Sequence, residues 1–161
     1  MTEAKSEFVY ATYIRSTPDK VWHALTTPEF MTRYFFGAKI ESEWKEGAAW
    51  RMLHADGRVS DSGEIVELVK PKLIVMKWRH ENTPEIAAEG TSTCVMEIEP
   101  QDNDVVKLTI HHSIDRAKSR LVEAVSGGWP RILSNLKSLL ETGEVLMAVK
   151  GCAGGGNTKA A

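Results

Sequence analysis

Gly127-Gly128-Trp129-Pro130-Arg131-Ile132-Leu133-Ser134-Asn135-Leu136-Lys137-Ser138-Leu139-Leu140-Glu141-Thr142-Gly143 is the stretch whose reading decides the fold. Trp129, Ile132, Leu133, Leu136, Leu139 and Leu140 recur at the i, i+3, i+4, i+7 spacing of one helical face. Arg131, Ser134, Asn135, Lys137, Ser138 and Glu141 take the other face. Pro130 fits a first turn, where its missing N–H costs little, and Gly143 fits the left-handed position past a helix end. Such an apolar stripe needs a surface to lie on. Upstream, Ser113 to Ser126 has helical character around Leu121, Val122 and Val125. Gly127, Gly128 and Pro130 predict a break between that short helix and the long one, where the long helix could hinge.

The surface is supplied by the chain before it. Phe8 to Ile14 reads as a strand with Phe8, Tyr10, Thr12 and Ile14 on one face. Ser16-Thr17-Pro18-Asp19 and Thr26-Thr27-Pro28-Glu29 each open a short helix with a hydroxyl cap, a proline and an early acid. Strands are then predicted at 38–44, 48–54, 59–69, 72–80, 91–99 and 104–112, with turn residues between them. Short turns between consecutive strands imply antiparallel pairing. Val106, Leu108, Ile110 and His112 alternate with Lys107, Thr109 and His111, so one face is apolar and the other mixed. The architecture expected is α+β: an antiparallel sheet of six to seven strands covered on one face by the C-terminal helix, with two short helices after the first strand.

At 161 residues the chain reads as one domain over 7–143, with flexible segments at 1–6 and 144–161. A net charge of −2 offers no electrostatic footprint for nucleic acid. The apolar runs are too short to span a bilayer, and the first residues carry no signal-peptide core, so the cytoplasm is expected. Cys94 in a strand pattern and Cys152 among glycines suggest no disulfide framework. No HExxH, CxxC or comparable spacing asks for a metal, and no cofactor motif is present.

Several segments carry a resemblance. The order of elements is that of the helix-grip fold of the START-like (SRPBCC) superfamily, which includes the birch pollen allergen; this resemblance implies that the sheet is curved around the C-terminal helix. Ile14-x-x-x-Pro18-x-x-Val21-Trp22-x-Ala24-Leu25-Thr26-x-Pro28 resembles the opening of the bacterial family related to the activator of the heat-shock protein 90 ATPase. Gly63-Glu64-Ile65-Val66-Glu67 with Leu73 and Trp78 resembles its middle strands. Leu108-Thr109-Ile110-His111-His112 and Gly128-Trp129 with Leu133 and Leu136 resemble its end. The resemblance spans about 8–142 and implies a cavity between sheet and helix that often holds an apolar molecule. It does not by itself imply one activity.

The candidate pocket residues are Tyr10, Trp50, Met52, Ile74, Met76, Trp78, Cys94, Met96, Leu108, Ile110 and His112 from the strands, with Trp129, Leu133 and Leu136 from the helix. Their tryptophans and methionines suit an adaptable apolar wall and equally a filled core. His80 and His112, with His54 as a third, are polar groups on the apolar side. Each would be an acid or base, a ligand partner, or a core histidine tied to a backbone carbonyl. Cys94 has no neighbouring base in sequence and reads as a small core residue. Asp61 and Glu64, with Arg58, fit a solvated face more simply than a pocket mouth. Glu81, Glu85, Glu89, Asp102 and Asp104 read as solvated turn charges. No catalytic residue is assigned.

The reading that follows is binding of a lipid-like, aromatic or polyketide-type molecule in an apolar cavity, oriented by a group such as His112. Two others remain open. One is a co-chaperone-type interaction module with a chaperone partner, by family analogy. The other is a cyclase or hydrolase using a pocket histidine or carboxylate. An exposed outer sheet face also permits a homodimer.

Overall fold

Every expected strand forms. The computed structural model describes residues 5–148. In order the elements are β1 (Ser6–Arg15), α1 (Pro18–Thr26), α2 (Pro28–Tyr34), β2 (Lys39–Ser42), β3 (Ala49–Leu53), β4 (Val59–Val69), β5 (Leu73–His80), α3 (Pro84–Ala87), β6 (Ser92–Pro100), β7 (Val105–Ile114) and α4 (Arg120–Thr142). The strands make one antiparallel seven-stranded sheet in the order β1-β7-β6-β5-β4-β3-β2. Consecutive hairpins account for β2 to β7. The helices α1 and α2 carry the chain from β1 at one edge to β2 at the other. The curved sheet holds α4 against one face, as the helix-grip reading expects. Residues 1–4 and 149–161, which include most of the segments expected to be flexible and Cys152, lie outside the described residues.

Alternation sets the core. Val106, Leu108, Ile110, His112 and Ile114 of β7 are all buried, as are Ile74, Met76 and Trp78 of β5 and Cys94, Met96 and Ile98 of β6. Leu133, Leu136 and Leu139 of α4 pack into the same cluster. Thr17 caps α1 by accepting from Lys20 N at 3.3 Å, with Pro18 in the first turn. The segment 82–90, read above as a turn, contains the one-turn helix α3 with Pro84 at its start.

The long helix corrects the expected break. α4 runs unbroken from Arg120 to Thr142 with Pro130 inside it. Pro130 withholds the N–H that the Ser126 carbonyl would accept, and Gly127 and Gly128 add backbone entropy; together these cost about 5 kcal/mol. Against this, Leu121, Val122, Trp129, Leu133, Leu136 and Leu139 are buried on both sides of the proline. At about 1.5–3 kcal/mol each their burial outweighs the penalty, so packing carries the helix through. The helix has no break at 127–130.

Both ends of α4 are tied by groups whose sequence context pointed elsewhere. Glu89 is not a free turn charge. Its carboxylate accepts from Ser119 Oγ at 2.6 Å, Arg120 N at 2.7 Å and Leu121 N at 3.3 Å, at the positive end of the helix. Burial pushes its pKa up, but these hydrogen bonds and the charge of Arg116 bring it below the ordinary carboxylate value. Asn135, assigned above to the polar face, is fully buried. Residues past Gly143 turn back over it: Asn135 Nδ2 donates to Met147 O at 2.9 Å, and Met147 N donates to Asn135 Oδ1 at 2.7 Å. Ser6, at the other terminus, is held by Arg116 O, to which its hydroxyl donates at 2.6 Å.

Gly63 permits one close crossing. A Cβ there would lie 1.8 Å from Lys77 O and 2.8 Å from Trp50 Nε1. Its absence lets the Trp50 indole N–H reach over β4 and donate to Lys77 O at 3.0 Å. Gly63→Ala is expected to lower the unfolding free energy by about 2–5 kcal/mol, the sum of overpacking and a lost buried hydrogen bond. Glu89→Gln is expected to cost about 1 kcal/mol, through weaker acceptance at the α4 terminus. Urea unfolding of the two variants beside the parent chain measures both.

Candidate functional site

A cavity of about 180 Å³ opens between α4 and one end of the sheet. Its wall is Phe35 after α2, Met52 of β3, Asp61 of β4, Trp78 and His80 of β5, Ile86 of α3, and Leu121, Ala124, Val125, Gly128, Trp129 and Ile132 of α4. The α4 residues fall on one side of the helix only because the helix is continuous. Nothing lies within 4 Å of where a Gly128 Cβ would sit, so the missing side chain leaves part of the space. Phe35 and Trp78 each meet Trp129 at near right angles, with ring centroids 6.0 Å and 5.9 Å apart.

The polar end of this apolar wall is Asp61, which is buried rather than solvated as the sequence reading preferred. Counting inward from buried Ile65, Gly63 and Asp61 share its face. At Ser60 the register shifts: Leu53 faces Val59 and Met52 faces Asp61, leaving Ser60 as an extra residue. This bulge puts two consecutive side chains, Ser60 and Asp61, inside.

Hydrogen bonds fix the carboxylate. Trp78 Nε1–H donates to Asp61 Oδ2 at 2.8 Å, and His80 Nδ1 lies 3.2 Å from the same oxygen. The carboxylate accepts, so the His80 proton is on Nδ1. His80 Nε2, 3.2 Å from Thr83 Oγ1, then accepts from that hydroxyl. Asp61 Oδ1 makes no hydrogen bond among the described residues and is not among the sealed, unpartnered atoms. It is the free acceptor at the cavity.

His112 forms a second, closed network. Trp129 Nε1–H donates to its Nδ1 at 3.3 Å. Nε2–H therefore donates to Ser92 Oγ, 2.8 Å away, and the Ser92 hydroxyl donates to Trp78 O at 3.0 Å. Both ring nitrogens are used, and through Ser92 the ring is tied to a backbone carbonyl. Burial, with a small contribution from His111, pushes its pKa down to about 4, so it is neutral at physiological pH.

Of the candidate pocket residues, Met52, Trp78 and Trp129 line the cavity. Trp50, Met76, Cys94 and His112 pack in the core, with Trp50 and His112 directly against the Trp78 ring. Ile74, Met96, Leu108, Ile110, Leu133 and Leu136 fill the centre between sheet and helix. Tyr10 is half-buried on β1, stacked on Phe8. His54 is half-buried in the turn after β3, with Asn82 Nδ2 3.4 Å from its ring. Burial raises the Cys94 thiol pKa far above its ordinary value, which makes it inert. Sequence reasoning missed Asp61, whose two-residue steps from Gly63 and Ile65 were the available signal. It also missed Val125 and Gly128 as wall residues, which the expected helix break hid.

A second depression, of about 270 Å³, lies among Asp19, Lys20, His23, Phe30 and Leu140 on the α1–α2 side, with His23 Nδ1 3.2 Å from Thr27 Oγ1. Among the described residues no group of three metal-binding side chains occurs, and no helix is long and apolar enough to cross a membrane.

The family model for activator of Hsp90 ATPase homolog 1-like protein matches residues 15–141. None of the curated proteins matches the chain significantly. Among solved structures, an Hsp90 activator from Plasmodium falciparum is 24% identical, with 84% of this chain and 96% of that one covered and a TM-score of 0.68. The Aha1 dimer from Colwellia psychrerythraea is 20% identical, covering 86% and 98%, with a TM-score of 0.69. DynU16, a putative protein in the dynemicin biosynthetic locus, is 18% identical, covering 89% of this chain and 50% of that one, with a TM-score of 0.71. At these identities the likeness is one of fold.

The closed His112 network has a pH signature. Its folded pKa of about 4 lies below the ordinary 6.5. As pH falls through this window the unfolded chain takes up a proton that the folded chain refuses. Stability is therefore expected to drop by about 3 kcal/mol between these two values and to be independent of this group above and below them. His112→Gln should flatten that part of the profile, as read by urea unfolding at a series of pH values. Loss from Glu89 enters lower, below the ordinary carboxylate range.

Proposed function

The chain belongs to the activator of Hsp90 ATPase homolog 1-like protein family, and from that premise we propose that it binds a small, mostly apolar molecule between the sheet and α4. The observation that carries the reading is the open cavity with one hydrogen-bonded polar end. An apolar cavity of about 150 Å³ accommodates benzene. By that measure this one takes a single substituted aromatic ring or a short alkyl group, not a long lipid chain. Burying about 200 Å² of ligand surface gains about 5 kcal/mol before ordering costs, which suits millimolar affinity. His112 has no free nitrogen with which to orient the ligand. That role passes to Asp61, whose Oδ1 accepts a hydroxyl or amine proton, so the ligand is polar at one end. A neighbour from a biosynthetic locus is in keeping with an organic ligand.

A second reading rests on a different surface. Val9 and Tyr13 stand 58% and 51% exposed on the outer side of the edge strand β1. One structural neighbour is named as an Hsp90 activator and another as a dimer. A chaperone or a second copy docking on this edge would use it without touching the cavity.

Calorimetric titration with 4-propylphenol and with propylbenzene tests the first reading. The phenol is expected to bind more tightly, and Asp61→Asn to remove most of that preference. Gly128→Leu, which fills the cavity while favouring the helix, is expected to weaken both at least tenfold. Affinity unchanged by Gly128→Leu would show that the molecule sits elsewhere.

A further inference from the structure

The two histidine networks both reach Trp78, but they end on different groups. His112 receives an indole N–H and gives its own proton to Ser92, leaving no lone pair. His80 is different. Asp61 Oδ2, which also takes the donor-only Trp78 indole, holds the proton on Nδ1 at 3.2 Å, and the Nε2 lone pair faces a hydroxyl at 3.2 Å. Carboxylate, imidazole and hydroxyl in that order, at those separations, are the arrangement of an activated nucleophile with its base and the group that orients the base.

Thr83 adds a second observation. It occupies the N-cap position of α3 but makes no side-chain cap hydrogen bond. The Ile86 and Ala87 N–H groups bond to its carbonyl instead. The hydroxyl is thus not used for the helix, although a threonine there ordinarily is. Among the described residues its one hydrogen bond is to His80. Asp61 and His80 both border the cavity, and so does Ile86 three residues beyond Thr83. A carboxylate is costly to bury, and here the Trp78 indole and the His80 imidazole both donate to it.

We propose that Asp61, His80 and Thr83 form an acyl-transfer site at the rim of the cavity, acting on a small aryl or alkyl ester whose apolar part the cavity holds. The proposal rests on the cavity reading above. Thr83 Oγ1 bonds to the ester carbonyl carbon while its proton passes to His80 Nε2. The carbon–oxygen bond to the leaving alcohol then breaks, and the alcohol departs with that proton, leaving acyl-Thr83. Water attacks the acyl carbon, giving a proton to Nε2. Thr83 Oγ1 leaves and takes that proton back, so the products are one acid and one alcohol. Asp61 holds the imidazole and offsets its charge while it is protonated. General-base assistance of this kind is worth about 100- to 10,000-fold in rate.

The full chain is incubated with 4-nitrophenyl acetate, following release of 4-nitrophenolate and locating acetyl groups by peptide mass spectrometry. Release above that of free imidazole is expected, with acetyl on Thr83. Thr83→Val and His80→Gln should each lower the rate about 100-fold or more, and the double variant should fall little further. Thr83→Ser should keep the activity, and His111→Gln, at an exposed histidine outside the site, should leave it unchanged. Release that survives Thr83→Val, or acetyl found only on other residues, overturns the proposal, including the case where His80 activates water instead. Titration of the same variants with 4-propylphenol separates the two readings: binding retained without turnover removes acyl transfer alone, whereas absent binding removes the cavity reading.

Discussion

The indole N–H of Trp78 and the carboxylate of Asp61 are 2.8 Å apart in the interior, and much of the site follows from that bond. A buried carboxylate without donors is costly, and a buried indole N–H without an acceptor is costly too. Each therefore fixes the other. Asp61 in turn sets the tautomer of His80. The carbonyl of Trp78 takes the Ser92 hydroxyl, which takes the proton of His112, which accepts from Trp129. Two polar networks are thus anchored to one residue, one opening onto the cavity and one closed. The ring itself packs against Trp50 at 4.7 Å and Trp129 at 5.9 Å between centroids, joining sheet and helix.

The long helix supplies the opposite wall, and its position is determined at both ends. Glu89 holds the first turn, and Asn135 with the returning segment at Met147 holds the last part. Held this way, the helix continues without interruption past Pro130. Its glycines then have a different consequence from the one their composition suggests: Gly128 leaves space beside Trp129 where any other residue would fill it. The frame is common to the family, but neighbours at 18–24% identity share only its geometry. The polar end of the cavity is built by Asp61, Trp78 and His80.

The strands and the antiparallel pairing of consecutive ones, the paired short helices and the inward faces of β5, β6 and β7 could be read directly from residue spacing, whereas the pairing of β1 with β7 could not. A two-residue period and turn residues are local properties, and they survive in any context that buries one face. The site was less legible. Met52, Trp78 and Trp129 were recognisable as inward residues, but nothing in spacing separates a side chain beside a void from one inside a filled core. Asp61 was obscured because a charged residue in a strand is ordinarily solvated, although its alternation with Gly63 and Ile65 runs unbroken up to the bulge at Ser60.

By itself, then, the sequence determined the α+β architecture and which faces are apolar, since both depend on periodicity within each element. Only the tertiary structure decided that α4 is continuous, that Asp61, Asn135 and Glu89 are structural partners rather than surface charges and polar groups, and that the lone pair of His80 meets a hydroxyl whereas that of His112 meets an indole N–H. Each of these turns on a balance between a local cost and contacts made far along the chain. Burial of six α4 side chains outweighs one proline and two glycines. An indole and an imidazole from the neighbouring strand make a buried carboxylate affordable. Residues so distant in sequence meet only once the sheet has curved around the helix.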